Sequence, residues 1–286
     1  RFNRIFGASL VISGLALLLN AYPFLDLKFT PYQCNLGILP YQYFIDYINA
    51  KGAITIWAHP EAENIQEIGE VTIETKEYPQ VLTETKNYTG FTIFYEGYKK
   101  IGRAGGIWDN LLGEYCKGKR KTPIWAIGGL GFDNLGDLND YLRDLRNMLL
   151  LREFNKKEIL EAIRKGRFYI LKGRLSSDFI LDRFIIKDKF HPKEANMGEE
   201  IELSTPPLIE IKGQFINMKD YVFNLKLIRE GRIVKTWQLK GNFHLTFEDT
   251  DKDLEASTFY RIEIDTDNLH LISNPIFVKY KKDELF

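Results

Sequence analysis

Two rhythms of apolar and polar residues succeed one another along the chain. From about residue 40 to 172, short apolar runs alternate with stretches of helical period. Tyr41 to Ala50 places Phe44, Ile45 and Ile48 on one face and is followed by Gly52, which predicts a helix and its stop. Ala53 to Ala58 (AITIWA), Phe91 to Tyr95 and Pro123 to Ile127 (PIWAI) are apolar on both faces and suit fully buried strands. Trp108 to Tyr115 reads as a further helix. The clearest helix is Lys156 to Lys165, with Asn155 as N-cap, Glu158 as capping-box partner and Gly166 just past the end. Phe168 to Leu171 then returns as a strand. Buried strands separated by helices predict a parallel sheet or barrel with helices outside.

After about residue 175 the period shortens to two. Ile201–Leu203, Leu208–Ile211, Val222–Ile228, Ile233–Leu239, His244–Phe247, Tyr260–Ile264 and Ile276–Tyr280 read as strands, with Glu230-Gly231 as a hairpin turn between two of them. The alternation in Tyr221 to Ile228 marks a sheet with one buried face. Such strands in this number predict an antiparallel β-sandwich. The expected division is therefore an α/β domain over residues 1–174 and a β-domain over residues 175–286.

The opening is a different case. Residues 5–25 carry no charge until Asp26, and Arg1 and Arg4 precede them. Ser9, Ser13, Gly7, Gly14, Asn20 and Pro23 punctuate the run, so a buried strand and turn is expected, with a membrane anchor as the alternative. The chain opens on Arg1 rather than Met, and an upstream segment is expected. A soluble, cytoplasmic location is expected, with export or N-terminal anchoring as alternatives.

Charge narrows the functional classes. Lys plus Arg number 39 and Asp plus Glu 39, so no global field attracts nucleic acid, and none is expected as a partner. Two cysteines, Cys34 and Cys116, make neither a disulfide framework nor a CxxC zinc site. Homo-oligomers through the β-half are compatible with the pattern, which names no partner.

Candidate chemistry lies just beyond the predicted buried strands. His59, in Trp57-Ala-His-Pro-Glu-Ala62, follows the first and can ligate a divalent metal or exchange a proton. Glu96 follows the second as a candidate ligand or base. The third opens into Gly128-Gly129-Leu130-Gly131, whose glycines would let the backbone approach a ligand, and then Asp133 offers an oxygen donor. The basic run Lys117 to Lys121, with Arg120 and Lys121, is a candidate phosphate contact. GxSxG and HExxH are absent.

Taken in order, several stretches resemble the PHP (polymerase and histidinol phosphatase) family of metal-dependent phosphoesterases. They are Gly52–Pro60, Phe94–Tyr98, Trp108–Leu112, Lys119–Gly129 and Ile159–Tyr169, joined by Leu227–Val234, Phe259–Ile264 and Ile272–Val278 from an appended β-domain. The resemblance implies a distorted, TIM-like β/α barrel followed by the β-sandwich. It implies a small phosphorylated or ester substrate and a divalent cofactor (Mn, Zn or Fe), with His59, Asp133 and Glu96 as metal ligands, His59 and Asp133 as catalytic groups and Arg120 and Lys121 on the substrate. The chain departs from the family's ligand set. Of four histidines, His191, His244 and His270 lie in the β-half. The family's opening His-x-His would lie upstream of Arg1, Gly14-Leu-Ala16 stands where it has Gly-x-Glu, and Gly131-Phe132-Asp133 stands where it has Asp-x-His. A multinuclear site needs several ligands, so the expectation is a hydrolase of reduced or lost activity, or an inactive scaffold that binds a ligand or protein.

Overall fold

Several local elements emerge as read, but the barrel does not close, and Ala53 to Ala58, expected as a fully buried strand, is strand only at Ile56–Trp57, with Ile56 exposed. The computed structural model describes residues 2–19, 29, 36–131, 143–251 and 256–280, with side chains from Ile5 onward in the first helix. Residues 1–44 and 45–286 form two compact units.

In the first unit, α1 (Phe2–Leu19) is a helix whose side chains from Ile5 to Leu19 are all exposed. This corrects the expectation of a buried strand and turn. Leu10, Leu15, Ala16, Leu17, Leu18 and Leu19 are strong helix formers, and no proline interrupts before Pro23. Among the described residues no helix is long and apolar enough to cross a membrane. The next helix, α2 (Leu39–Ala50), runs into the second unit and buries Ile45 there.

The second unit begins with β1 (Ile56–Trp57), the hairpin β2 (Asn64–Ile68) and β3 (Val71–Thr75), the short α3 (Val81–Glu84) and β4 (Gly90–Phe94). A π-helical turn, Tyr98–Gly102, precedes α4 (Ile107–Cys116) and β5 (Trp125–Gly128). Then come β6 (Leu145–Leu149), α5 (Lys156–Lys165), β7 (Phe168–Lys172) and a 3-10 turn, Arg174–Ser177. The rest is strand: β8 (Phe179–Lys187), β9 (Glu194–Asn196), β10 (Glu200–Leu203), β11 (Leu208–Phe215) and β12 (Val222–Arg229). These are followed by β13 (Arg232–Lys240), β14 (Phe243–Glu248), β15 (Ser257–Asp265), β16 (His270–Ser273) and β17 (Ile276–Tyr280).

Capping chemistry set the α5 ends. Asn155 Oδ1 accepts the Glu158 N–H at 2.9 Å, and Gly166 sits at φ +67, where its missing Cβ also admits the Trp125 ring. Glu158 does not return the capping-box bond and lies instead 3.7 Å from Arg167. At the β12–β13 hairpin, Glu230 (φ +51) and Gly231 (φ +79) make the tight turn expected of them.

Among the described residues the parallel sheet has three strands, in the order β1-β4-β5. The expected β/α barrel is therefore corrected to a small parallel sheet beside larger, mainly antiparallel ones. The second edge of β5 shows why the sheet stops. Asn274 bonds both the N–H (3.0 Å) and the C=O (3.2 Å) of Ala126, and Asn147 does the same for Gly128 at 2.8 and 2.9 Å. Two side-chain amides thus satisfy the backbone groups that a fourth strand would need.

Asn147 lies in β6 and Asn274 in the connection from β16 to β17 of the next sheet, which has eight strands among the described residues. Its path is β10-β17-β15-β16-β7-β6, with β12 paired to β15 and β13 to β12; every pair is antiparallel except β10–β17. A four-stranded antiparallel sheet runs β14-β11-β8-β9. Inward residues of these two sheets, among them Phe184, Ile209 and Ile211 from one and Leu225, Leu227 and Ile262 from the other, share a single apolar core.

One buried ion pair ties the parallel layer to the large sheet. Arg261 of β15 has no exposed side-chain area; it bonds both carboxylate oxygens of Asp109 in α4 at 2.7 and 2.8 Å and lies 4.9 Å over the Trp108 ring. Burial alone would depress its pKa, but the Asp109 charge and hydrogen bonds hold it above the ordinary arginine value.

Candidate functional site

The three parallel strands end at one opening. His59 stands two residues past β1, Glu96 two residues past β4, and Leu130-Gly131 just past β5. All line a pocket of about 900 Å³. Ligands in parallel α/β sheets sit at this strand end, because the connecting loops there are free to carry chemistry.

Loop-to-strand hydrogen bonds hold the groups in place. The His59 N–H donates to Thr92 Oγ1 at 2.6 Å, the Glu61 N–H to the Glu96 carbonyl at 2.8 Å, and the Tyr95 N–H to the Gly129 carbonyl at 3.1 Å. A Cβ at Gly129 would come within 2.4 Å of Thr92 Cγ2, and one at Gly97 within 2.0 Å of the Thr92 carbonyl oxygen. Gly129 is thus required by strand-loop packing. His59 (φ +48) and Glu96 (φ +66) both occupy the left-handed region, where a side chain is unfavourable.

These two strained residues face each other. His59 Nδ1 lies 3.2 Å from Glu96 Oε2 and 3.2 Å from the Tyr95 carbonyl oxygen, with the side chains 24% and 48% exposed. Both neighbours are acceptors, so Nδ1 is the donor to them, and in the neutral ring Nε2 holds the lone pair. The position a Cβ would take at Gly131 is 3.7 Å from that Nε2. A histidine so oriented can take up a proton or donate its lone pair to a cation.

Glu61 lies in the same lining but is committed elsewhere. Its carboxylate accepts the backbone N–H groups of Lys99 (2.8 Å), Lys100 (2.7 Å) and Ile101 (2.7 Å), so it caps the Tyr98–Gly102 turn.

The opposite wall comes from the large sheet. Lys172 ends β7 and is registered directly against His270, which begins β16; Asp265 ends β15. Lys172 Nζ lies 4.4 Å from the Tyr95 ring centroid and 5.2 Å from that of Phe94, and burial lowers its pKa. His270 is wedged between Phe94 and Tyr98, with ring centroids 4.6 and 4.5 Å away. Burial pushes it down to about 4, against the opposing pull of Asp265 and Glu263. Tyr98 Oη donates to Glu263 Oε1 at 2.8 Å, and burial together with that carboxylate raises the phenol's pKa.

Metal-binding capacity can be judged from the donors. His59 turns one nitrogen to the pocket, and Glu96 orients it from the other side. Donor atoms of Glu263, Asp265 and His270 lie within 4.8 Å of one another. Glu263, however, already takes Tyr98 Oη and Lys226 Nζ (3.2 Å) and lies 3.5 Å from Arg261 Nη1, so its charge is neutralised. A hydrolytic metal site uses about three protein ligands plus water. The described residues do not assemble such a set around His59, and a multinuclear centre does not fit them.

Of the residues singled out in the sequence, His59 and Glu96 come together, and Gly131 joins them. Asp133 lies outside the described residues. Arg120 and Lys121 do not line the pocket: Arg120 bonds Glu114 at 2.9 Å and the Leu82 carbonyl at 3.1 Å, and Lys121 is exposed to solvent. Glu61, Lys172, Asp265 and His270 escaped sequence reasoning. Glu61 was visible beside His59. The other three meet the pocket through strand register, which no local pattern announces.

No protein-family model matches the chain, and no curated protein matches it.

Proposed function

We propose that the pocket binds a small phosphorylated ligand, as the site of a PHP-like phosphoesterase whose multinuclear metal centre has been lost. One observation carries this reading. The strand ends present a site-like His59–Glu96 pair and a glycine-rich loop, yet Glu61, a further carboxylate of the lining, is fixed on three backbone N–H groups. The pocket lies at the strand ends where a ligand site is expected, while the donor set among the described residues falls short of a hydrolytic metal site.

The second reading is retained hydrolysis, and the orientation of His59 favours it. With Nδ1–H held by Glu96 and the Tyr95 carbonyl, Nε2 is positioned to accept a proton from water or a hydroxyl. Asp133 is the donor that the family resemblance would add.

Metal analysis of the purified protein, with 4-nitrophenyl phosphate turnover measured with and without manganese, zinc and chelator, separates the two. Binding of inorganic phosphate with no metal and no turnover is the expected result. Chelator-sensitive turnover that disappears in His59→Ala establishes the hydrolase instead. Absence of both binding and turnover overturns both readings.

A further inference from the structure

Resting on the reading of the pocket as a phosphate site, we propose that Lys172 is its anion anchor, so that the phosphate lies against the antiparallel wall and the remainder of the ligand faces His59. Arg120 and Lys121 were the cations expected in this role, and they lie elsewhere.

Four observations converge on Lys172. It lines the pocket at the end of β7. Its ammonium lies over two aromatic rings, Tyr95 at 4.4 Å and Phe94 at 5.2 Å. No carboxylate of the described residues lies within 4.0 Å of it. Its neighbour across the ladder, His270, is a ring buried between Phe94 and Tyr98 and kept neutral at neutral pH, which leaves Lys172 as the cation of this wall.

A lysine of purely structural use extends its stem over apolar surface and leaves its head in water, or pairs the head with a carboxylate. Lys172 pairs with no carboxylate of the described residues, and its half-buried head lies on ring faces inside the pocket. Ring faces offset part of the cost of desolvating an ammonium, and its three N–H donors are left open to an acceptor that enters the pocket. An oxyanion entering the pocket supplies charge and acceptors together. Asp265 acts on Lys172 from a greater distance and opposes part of the effect of burial, so the ammonium keeps its charge for an entering anion.

Isothermal titration of the full chain with inorganic phosphate, in the presence of chelator, tests this directly. Lys172→Ala should weaken binding about tenfold or more, and Lys172→Arg should restore most of it. Acetic anhydride labelling of the wild type gives a readout that requires no variant: phosphate should protect Lys172 from acylation and leave the surface residue Lys121 unprotected. Phosphate binding of equal strength in wild type and Lys172→Ala, with no protection of Lys172, overturns the anchor and leaves the pocket reading intact. No phosphate binding by the wild type overturns both.

Discussion

The parallel strands and the antiparallel sheet meet at one pocket and hold their functional groups by opposite means. On the parallel side, His59 and Glu96 sit on loops beyond the strands, at φ +48 and +66, partly exposed and fixed by a few hydrogen bonds. On the antiparallel side, Lys172, Asp265 and His270 sit at the ends of registered strands, and Lys172 and His270 are desolvated by their neighbours. Backbone strain positions one wall; ladder register and burial position the other. The first kind of wall keeps its groups accessible, and the second changes their proton affinity.

The bond between the walls should be the most costly to break. Asp109→Ala leaves Arg261 buried without its carboxylate, and a loss of about 3–5 kcal/mol is expected by urea unfolding. A loss below about 1 kcal/mol would mean that the two layers do not depend on this pair.

The burial of His270 should appear in the acid limb of stability. Its folded-state pKa, about 4, lies below the ordinary 6.5. The unfolded chain therefore binds the proton more readily, and stability falls as pH drops from about 6.5 towards 4. The full difference corresponds to about 3 kcal/mol. Unfolding free energies of wild type and His270→Gln across this window should converge as pH falls, with Asp265, Glu263, Lys172 and Lys226 the charged groups that face the ring. Parallel pH curves would place His270 outside the buried wall.

Asn274→Ala removes the amide that closes the edge of β5. The N–H and C=O of Ala126 lose their partner, and a cost of about 2 kcal/mol is expected in the same unfolding measurement. A neutral result would show that another group satisfies this edge.

Glu96→Gly acts in the opposite direction. Glycine occupies φ +66 without strain, so a gain of about 1 kcal/mol is expected, alongside loss of the carboxylate that orients His59. Destabilisation would show that the Glu96–His59 contact outweighs the strain it rides on.

Much of this architecture is local and readable from the chain. The α5 caps, the Glu230-Gly231 turn, the alternation in β12 and the apolar runs at β4 and β5 each depend on residues within one turn or one strand. His59 and Glu96 were legible because each follows such a run. The hairpin β2–β3 was missed because Asn64–Ile68 and Val71–Thr75 are exposed on both faces and carry mixed polar and apolar residues. Strands β6, β8 and β16 went unread as well, and β6 and β16 are the strands that bring Asn147 and His270 to the parallel layer.

Local sequence pattern fixed the α5 helix and its caps, the buried strands β4, β5 and β7, much of the later strand succession, and which loops carry His59, Glu96 and the glycines. Those features arise from propensity, capping and period, whose range is a few residues. Long-range packing made β5 an edge closed by Asn147 and Asn274, brought Arg261 to Asp109 across 152 positions, and added Lys172 and His270 to the pocket. Each of these rests on strand register between distant segments. A shift of one residue would turn every such side chain to the other face, and nothing within either strand alone specifies its partner.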